Sequence, residues 1–269
     1  MSDNDPAFEK GLQHPSLSYR LDGDGPPIVL SHALGCSLRM WNDIVPALAR
    51  VGTIVRYDTR GHGRSEVITE GFSLSDLVGD AVRIINALGF DRVSWVGLSL
   101  GGMIGQGLAI EHPDRVEKLV LANTVSRLSE EGRAQWRERA LVARADGMAT
   151  LADLIMTRFF SEEFRRSQPE VVQRFRADVL GIDADGYAAC CDAIAGLDYY
   201  PQLHRIACPT LALAGEADLP ATPAMVKEIA DSIPGATLTT IPDAGHLSVV
   251  ERPESFVQIV KTFLSAGPA

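Results

Sequence analysis

Residues 92–110 read RVSWVGLSLGGMIGQGLAI, and how this stretch folds decides the architecture. Positions 92–97 (RVSWVG) are rich in β-branched and aromatic residues and predict a strand. From Ser99 to about His112 the chain is apolar and long enough for a helix. Gly-x-Ser-x-Gly at 97–101 carries little weight alone, because glycine and serine are common. Between a strand and a helix it predicts a sharp turn with Ser99 at the tip, projecting from the sheet edge. Gly97 and Gly101 allow neighbouring backbone to come close. The competing reading makes Ser99 a packing residue in a buried turn. Five glycines, Ser99 and Gln106 interrupt the longest apolar part, residues 95–110, which suits a buried strand and helix better than a membrane span.

Outward from the elbow, strands and helices alternate. PPIVLS (26–31), TIVRYD (53–58), KLVLAN (118–123), TLALAG (210–215) and TLTTIP (237–242) predict strands. Residues 37–50 have helical spacing at Leu38, Trp41, Ile44, Val45 and Leu48, with a bend expected at Pro46. FSLSDLVGDAVRIINALG predicts an amphipathic helix whose stripe is Leu74, Leu77, Val78, Ala81, Val82, Ile85 and Leu88. Ser73 caps it, Phe72 and Leu77 can staple it, and Gly89 ends it. Further helices are expected at 223–232 and from Pro253, with Phe256, Ile259, Val260 and Phe263 facing inward. This order predicts an α/β fold: a mostly parallel sheet with helices on both faces. The alternation stops between about Asn123 and Cys208, where the segments read as helices. A helical insertion at that point lies over the C-terminal edge of the strands, where open α/β sheets bind ligands. Residues 1–123 and 207–269 are therefore expected to form the core and 124–206 a helical cap.

Composition narrows the function. The chain has 269 residues, 46% of them hydrophobic, and a formal net charge of −10. That balance argues against nucleic acid and anionic membrane surfaces as partners. The opening MSDNDPAFEK has neither a basic nor an apolar signal region, so no signal peptide is predicted. Cys36, Cys190, Cys191 and Cys208 form no CxxC pair, which suits reduced thiols in the cytoplasm. Cys36 beside His32 could be a nucleophile, but its loop has a better use.

A serine nucleophile needs a base, the base an orienting acid, and on this architecture the chain order is Ser, acid, His. His14 and His204 read as ordinary loop residues, His112 as a helix cap, and His62 as a turn residue preceding the serine. His246 follows the last strand, at the correct edge and in the correct order. Glu216 and Asp218 both qualify as the acid. The Gly-x-x-Asp spacing favours Asp218, and Asp243 reads as a turn residue. Oxyanion donors are expected from the backbone N–H of Leu100, just after the nucleophile, and from Leu34 in the loop after PPIVLS. His32 is expected to brace that loop.

With these residues in place the chain resembles the α/β-hydrolase family over essentially its whole length. Within it the resemblance is greatest to 3-oxoadipate enol-lactonases of aromatic-acid catabolism. It is carried by LSHALGCSLRMW, VRYDTRGHGRS, GLSLGGMIGQGLAIEHPDRVEKLVLANT, GYAACCDAI, CPTLALAGEAD with ATPA, and GHLSVVERPESF. Many members have Met where this chain has Leu100, and Asn-Ser where it has His32-Ala33. The resemblance implies a Ser99–His246–Asp218 triad, oxyanion donors Leu34 and Leu100, and no metal or organic cofactor. It implies lactone-ring opening to 3-oxoadipate through an acyl-enzyme. The substrate's free carboxylate is expected to meet Arg139, with Trp136 as an apolar wall; a solvated cap arginine is the competing reading. The partner implied is a small lactone or ester, and a homo-oligomer is compatible with the sequence. The same triad would serve a broader carboxylesterase, a C–C bond hydrolase or a perhydrolase, and a slow-turnover binding protein on this scaffold is the non-enzymatic alternative. Dehalogenation is disfavoured, because its nucleophile would be Asp at position 99.

Overall fold

The computed structural model describes residues 9–10 and 15–266. His14 and the first eight residues of the acidic N-terminal stretch lie outside them. Eight strands form one sheet: β1 (Glu9–Lys10), β2 (Ser18–Asp22), β3 (Pro27–Ser31), β4 (Thr53–Tyr57), β5 (Val93–Leu98), β6 (Val116–Ala122), β7 (Thr210–Gly215) and β8 (Thr237–Ile241). Their spatial order is β1-β2-β4-β3-β5-β6-β7-β8. Pairing is parallel from β4 through β8, and β1 and β2 add an antiparallel edge. Sequence patterning missed β1 and β2. SYRLD lacks an apolar run, because β2 lies next to the two-residue edge strand β1 and buries only one of its five residues fully.

The helices are α1 (Val45–Leu48), α2 (Leu74–Ala87), α3 (Leu100–Glu111), α4 (Glu130–Asp146), α5 (Met148–Phe159), α6 (Glu162–Ser167), α7 (Pro169–Leu180), α8 (Ala184–Ala195), α9 (Pro223–Ser232), α10 (Ser248–Glu251) and α11 (Pro253–Ser265). The segment expected to be one bent helix before β4 is instead a 3-10 turn, Leu38–Trp41, followed by the short α1. Pro46 lies in the first turn of α1, where its missing N–H costs nothing, so it starts a helix rather than bending one. Helix α2 begins at a full capping box: the Ser73 hydroxyl meets the Asp76 N–H, and the Asp76 carboxylate meets the Ser73 N–H. Its buried stripe includes Ile84, which the sequence reading left out, in place of the half-buried Val82.

Topology places the site. From β3 the chain steps to β4 on one side, while β5, β6, β7 and β8 run successively to the other. Right-handed crossovers then put the connecting helices on opposite faces. Helix α1 packs with α11, and α2 with α3. The reversal falls between the C-terminal ends of β3 and β5, the crevice where open α/β sheets take ligands. The loop after β3 and the turn after β5 both open there.

Between β6 and β7 lie α4 to α8. The two ends of this insertion meet in a stem: Arg127 bridges Asp198, and the Tyr199 and Tyr200 amides donate to the Ser126 carbonyl. The helices dock on the core at several points. Gly186 on α8 abuts Gly61 so closely that a Cβ on either would strike the other's backbone. The Ser161 amide and hydroxyl both donate to the Glu251 carboxylate, at 2.8 and 2.7 Å. No helix among the described residues is long and apolar enough to cross a membrane.

Candidate active site

Ser99 stands between β5 and α3 with φ 56° and ψ −113°, a conformation that side-chain-bearing residues rarely adopt. The turn is locked from several sides. A Cβ on Gly97 would strike the Gly101 carbonyl, and one on Gly101 would strike the Ser31 carbonyl. The Ser99 N–H donates to the Ala122 carbonyl, and the Thr124 hydroxyl donates to the Ser99 carbonyl. Buried Trp95 donates its indole N–H to the Gly101 carbonyl at 2.9 Å. Strand, turn and helix thus hold the serine in a strained backbone while its side chain lines a cavity of about 700 Å³.

His246 lines the same cavity. Its Nδ1 lies 3.1 and 3.0 Å from the two Asp218 carboxylate oxygens. A carboxylate only accepts, so Nδ1 carries the proton and Nε2 is left as a base. Asp218 is fully buried and its remaining capacity is used. Asn123 donates through Nδ2 at 2.8 Å, and the Ala221 N–H donates at 3.0 Å. Asn123 was not identified from the sequence. It sits at the end of β6 with φ 48° and also accepts from the Ser248 hydroxyl at 2.6 Å, so its amide orientation is fixed. A polar residue at the end of an apolar strand run is the only signal the sequence gives for it. Glu216, the other acid considered, is exposed and accepts the Asp243 N–H instead. Asp243 is a turn residue with φ 53°.

The loop after β3 leaves one amide unspent. The Ala33 N–H points at the Met40 sulfur, the Gly35 N–H donates to His62, and the Cys36 N–H donates to the Ala33 carbonyl. The Leu34 N–H finds no acceptor among the described residues, and neither does that of Leu100. Both residues are buried. Buried donors without acceptors are rare in folded proteins, and two beside Ser99 are placed as donors to a developing oxyanion would be.

Two buried histidines set this loop. Nε2 of His32 accepts the Thr59 N–H, and its Nδ1 donates to the Ala33 carbonyl. Nε2 of His62 accepts the Gly35 N–H, and Nδ1 faces the Arg60 carbonyl. Both rings must be neutral to accept. Burial lowers the His32 pKa to about 4 and that of His62 to about 3, where the neighbouring His32 adds to the effect. Asp58 receives the Leu38 and Arg64 amides and closes the same region. Burial raises the Cys36 thiol far above its ordinary value, so it offers no thiolate. His112 caps α3, and His204 is exposed on a 3-10 turn.

The insertion roofs the cavity with one face of α4: Gly132, Gln135, Trp136 and Arg139 lie three, four and seven residues along. The Arg139 guanidinium lies over the Trp136 ring, 4.6 Å from its centroid. Helix α5 adds Ile155, Arg158 and Phe159. Among the described residues no three His, Cys, Asp or Glu side chains converge as a metal site would.

Residues 26–253 match the family model of the α/β-hydrolase fold. The chain belongs to the α/β-hydrolase family. It is 34% identical to 3-oxoadipate enol-lactonase 2 of Acinetobacter baylyi over 254 residues, covering 94% of each chain. Its structure is similar to the crystal structure of the enol-lactonase from Burkholderia xenovorans, with TM-score 0.92, 37% identity, and coverage of 96% of this chain and 100% of that one. It is also similar to a thermophilic esterase from Thermogutta terrifontis with malate bound, with TM-score 0.90, 29% identity and 96% of both chains covered. This α/β-hydrolase is an ester-hydrolysing enzyme.

Proposed function

We propose that this enzyme opens the ring of a carboxylate-bearing enol-lactone of the 3-oxoadipate type, with Ser99, His246 and Asp218 as its triad. Nε2 of His246 takes the Ser99 proton as Oγ attacks the lactone carbonyl. The oxyanion is held by the Leu34 and Leu100 amides. The carbonyl carbon–ring oxygen bond breaks, the leaving oxygen takes the proton from His246, and the released enol becomes the ketone. Water, deprotonated by His246, attacks the Ser99 ester and frees a carboxylate. An enol leaves more readily than a simple alkoxide, so acylation asks little of the acid. The α4–α8 insertion, residues 124–206, acts as a cap that selects the substrate, and the partner is a small lactone or ester.

The observation that carries the substrate choice is Arg139. Its guanidinium stacks on Trp136, faces the cavity that holds Ser99, and has no ion-pair partner among the described residues. In a chain of net charge −10 a cation left open to a cavity suits an anionic ligand. The enol-lactonase relatives support the same reading, and so does the dicarboxylate malate bound to the related esterase.

The test is a hydrolysis panel of 3-oxoadipate enol-lactone, neutral lactones and p-nitrophenyl esters. The carboxylate-bearing lactone should have the highest kcat/KM. Arg139→Ala should raise its KM by roughly 10- to 100-fold, the worth of a charge-assisted hydrogen bond, and that of a neutral ester far less. Equal effects on both, or preference for neutral esters in the parent enzyme, would overturn the substrate choice.

A further inference from the structure

Two guanidiniums besides that of Arg139 line the cavity: Arg127, which is paired with Glu228, and Arg158. Arg158 shares one face of α5 with Ile155 and Phe159, and all three line the cavity beside Arg139, Ser99 and His246. Several other arginines of the insertion are neutralised, among them Arg144 by Asp192, Arg166 by Glu163 and Arg176 by Asp153. Arg158 has neither an ion pair nor a hydrogen bond with a described residue. Arg139 rests on Trp136 and beside the Tyr187 hydroxyl, with no carboxylate against it. Burial first, and then the Arg139 cation, lower the Arg158 pKa, while the Asp218 carboxylate acts in the opposite direction. Arg158 therefore lies within electrostatic reach of both Arg139 and the His246–Asp218 pair.

Two half-buried like charges facing one cavity repel each other, and a dianion between them would relieve the repulsion. Lactone hydrolysis makes such a dianion. The substrate enters with one carboxylate. When water adds to the Ser99 ester, the Oγ–acyl bond breaks, Ser99 regains a proton, and the acyl carbon becomes a second carboxylate, whose released proton leaves through His246. We propose that Arg139 and Arg158 form a two-point clamp for dicarboxylates, with Arg158 receiving the carboxylate created at Ser99. The assignment rests on the lactonase reading above for the identity of the dianion. It makes the resting enzyme a receptor for its own product, with affinity set by the spacing of the two carboxylates.

Adipate, which cannot be hydrolysed, stands in for the product, and hexanoate is the single-carboxylate control. Calorimetric titration of the full chain should give adipate a Kd about tenfold or more below that of hexanoate, the worth of one added charge-assisted contact. Arg158→Gln should erase that preference, and Arg158→Lys should keep part of it by retaining the cation. Equal affinities in the parent protein, or a preference that survives Arg158→Gln, would overturn the clamp. If one variant fails to fold, the parent comparison and the other variant still decide. Enol-lactone turnover measured alongside separates the two ideas: adipate preference without turnover sinks the lactonase reading and leaves the clamp, while turnover without preference sinks the clamp.

Discussion

Acid should loosen this fold through a histidine that never meets substrate. His62 must be neutral to accept the Gly35 N–H, and burial, then His32, hold its pKa near 3 against an ordinary 6.5. The unfolded chain therefore takes up a proton below pH 6.5 that the folded chain refuses. The stability this contributes is complete above pH 6.5 and is lost as pH falls toward 3. At 1.36 kcal/mol per pH unit, acidifying from 6.5 to 4 removes about 3 kcal/mol through His62 alone. His32, with its pKa near 4, removes a similar amount. Asp58 runs the other way: burial raises its pKa to about 6, so the folded state takes its proton first and gains stability as pH falls from 6 toward 3.8. A His62→Gln variant isolates the first effect, because a glutamine oxygen can accept the Gly35 N–H without titrating. Urea unfolding of both proteins from pH 7 to pH 4, extrapolated to water, gives a difference in which the other groups cancel. The stability of the parent relative to the variant should fall by about 3 kcal/mol across that range. A difference that stays flat would refute the reading of His62 as a buried neutral acceptor.

Two further outcomes follow from the same geometry. Asp218→Asn can offer its amide N–H to Nδ1 of His246 and so place the ring proton on Nε2; kcat should drop on the order of 10⁴-fold with the fold intact by circular dichroism, and activity within tenfold of the parent would remove Asp218 from its orienting role. Gly101→Ala forces a Cβ into the Ser31 carbonyl and should cost at least about 1–3 kcal/mol, whereas Gly79→Ala on α2, with nothing within 4 Å, should gain about 0.5–1 kcal/mol; opposite shifts in Tm are expected, and shifts of the same sign would contradict the packing argument.

What was legible in the sequence is what is written locally. The β5–Ser99–α3 elbow combines a strand pattern, a helix pattern and two glycines within nineteen residues. Asp218 and His246 each follow a strand of a parallel sheet, and parallel strands all end at one edge, so their meeting follows from topology. What was not legible depends on contacts between distant segments. Asn123 reads as a strand-end polar residue, and only the fold sets it against Asp218, 95 positions away. His62 reads as a turn residue until the loop after β3 lies beside it. Arg158 reads as a cation in the last turn of an amphipathic helix, and its meaning changes only when α4 and α5 turn the same cavity-lining faces together. Strand β2, beside the short edge strand β1, lacks the apolar signal of a buried strand because only one of its five residues is fully buried.

The central claim is that Ser99 is the reacting atom's carrier, activated by His246. Incubation with a fluorophosphonate followed by intact-mass and peptide-map measurement tests it directly. The account predicts one adduct per chain, on Ser99, absent from Ser99→Ala and strongly slowed in His246→Ala. An adduct that persists in Ser99→Ala, or maps to another residue of the parent protein, would contradict it.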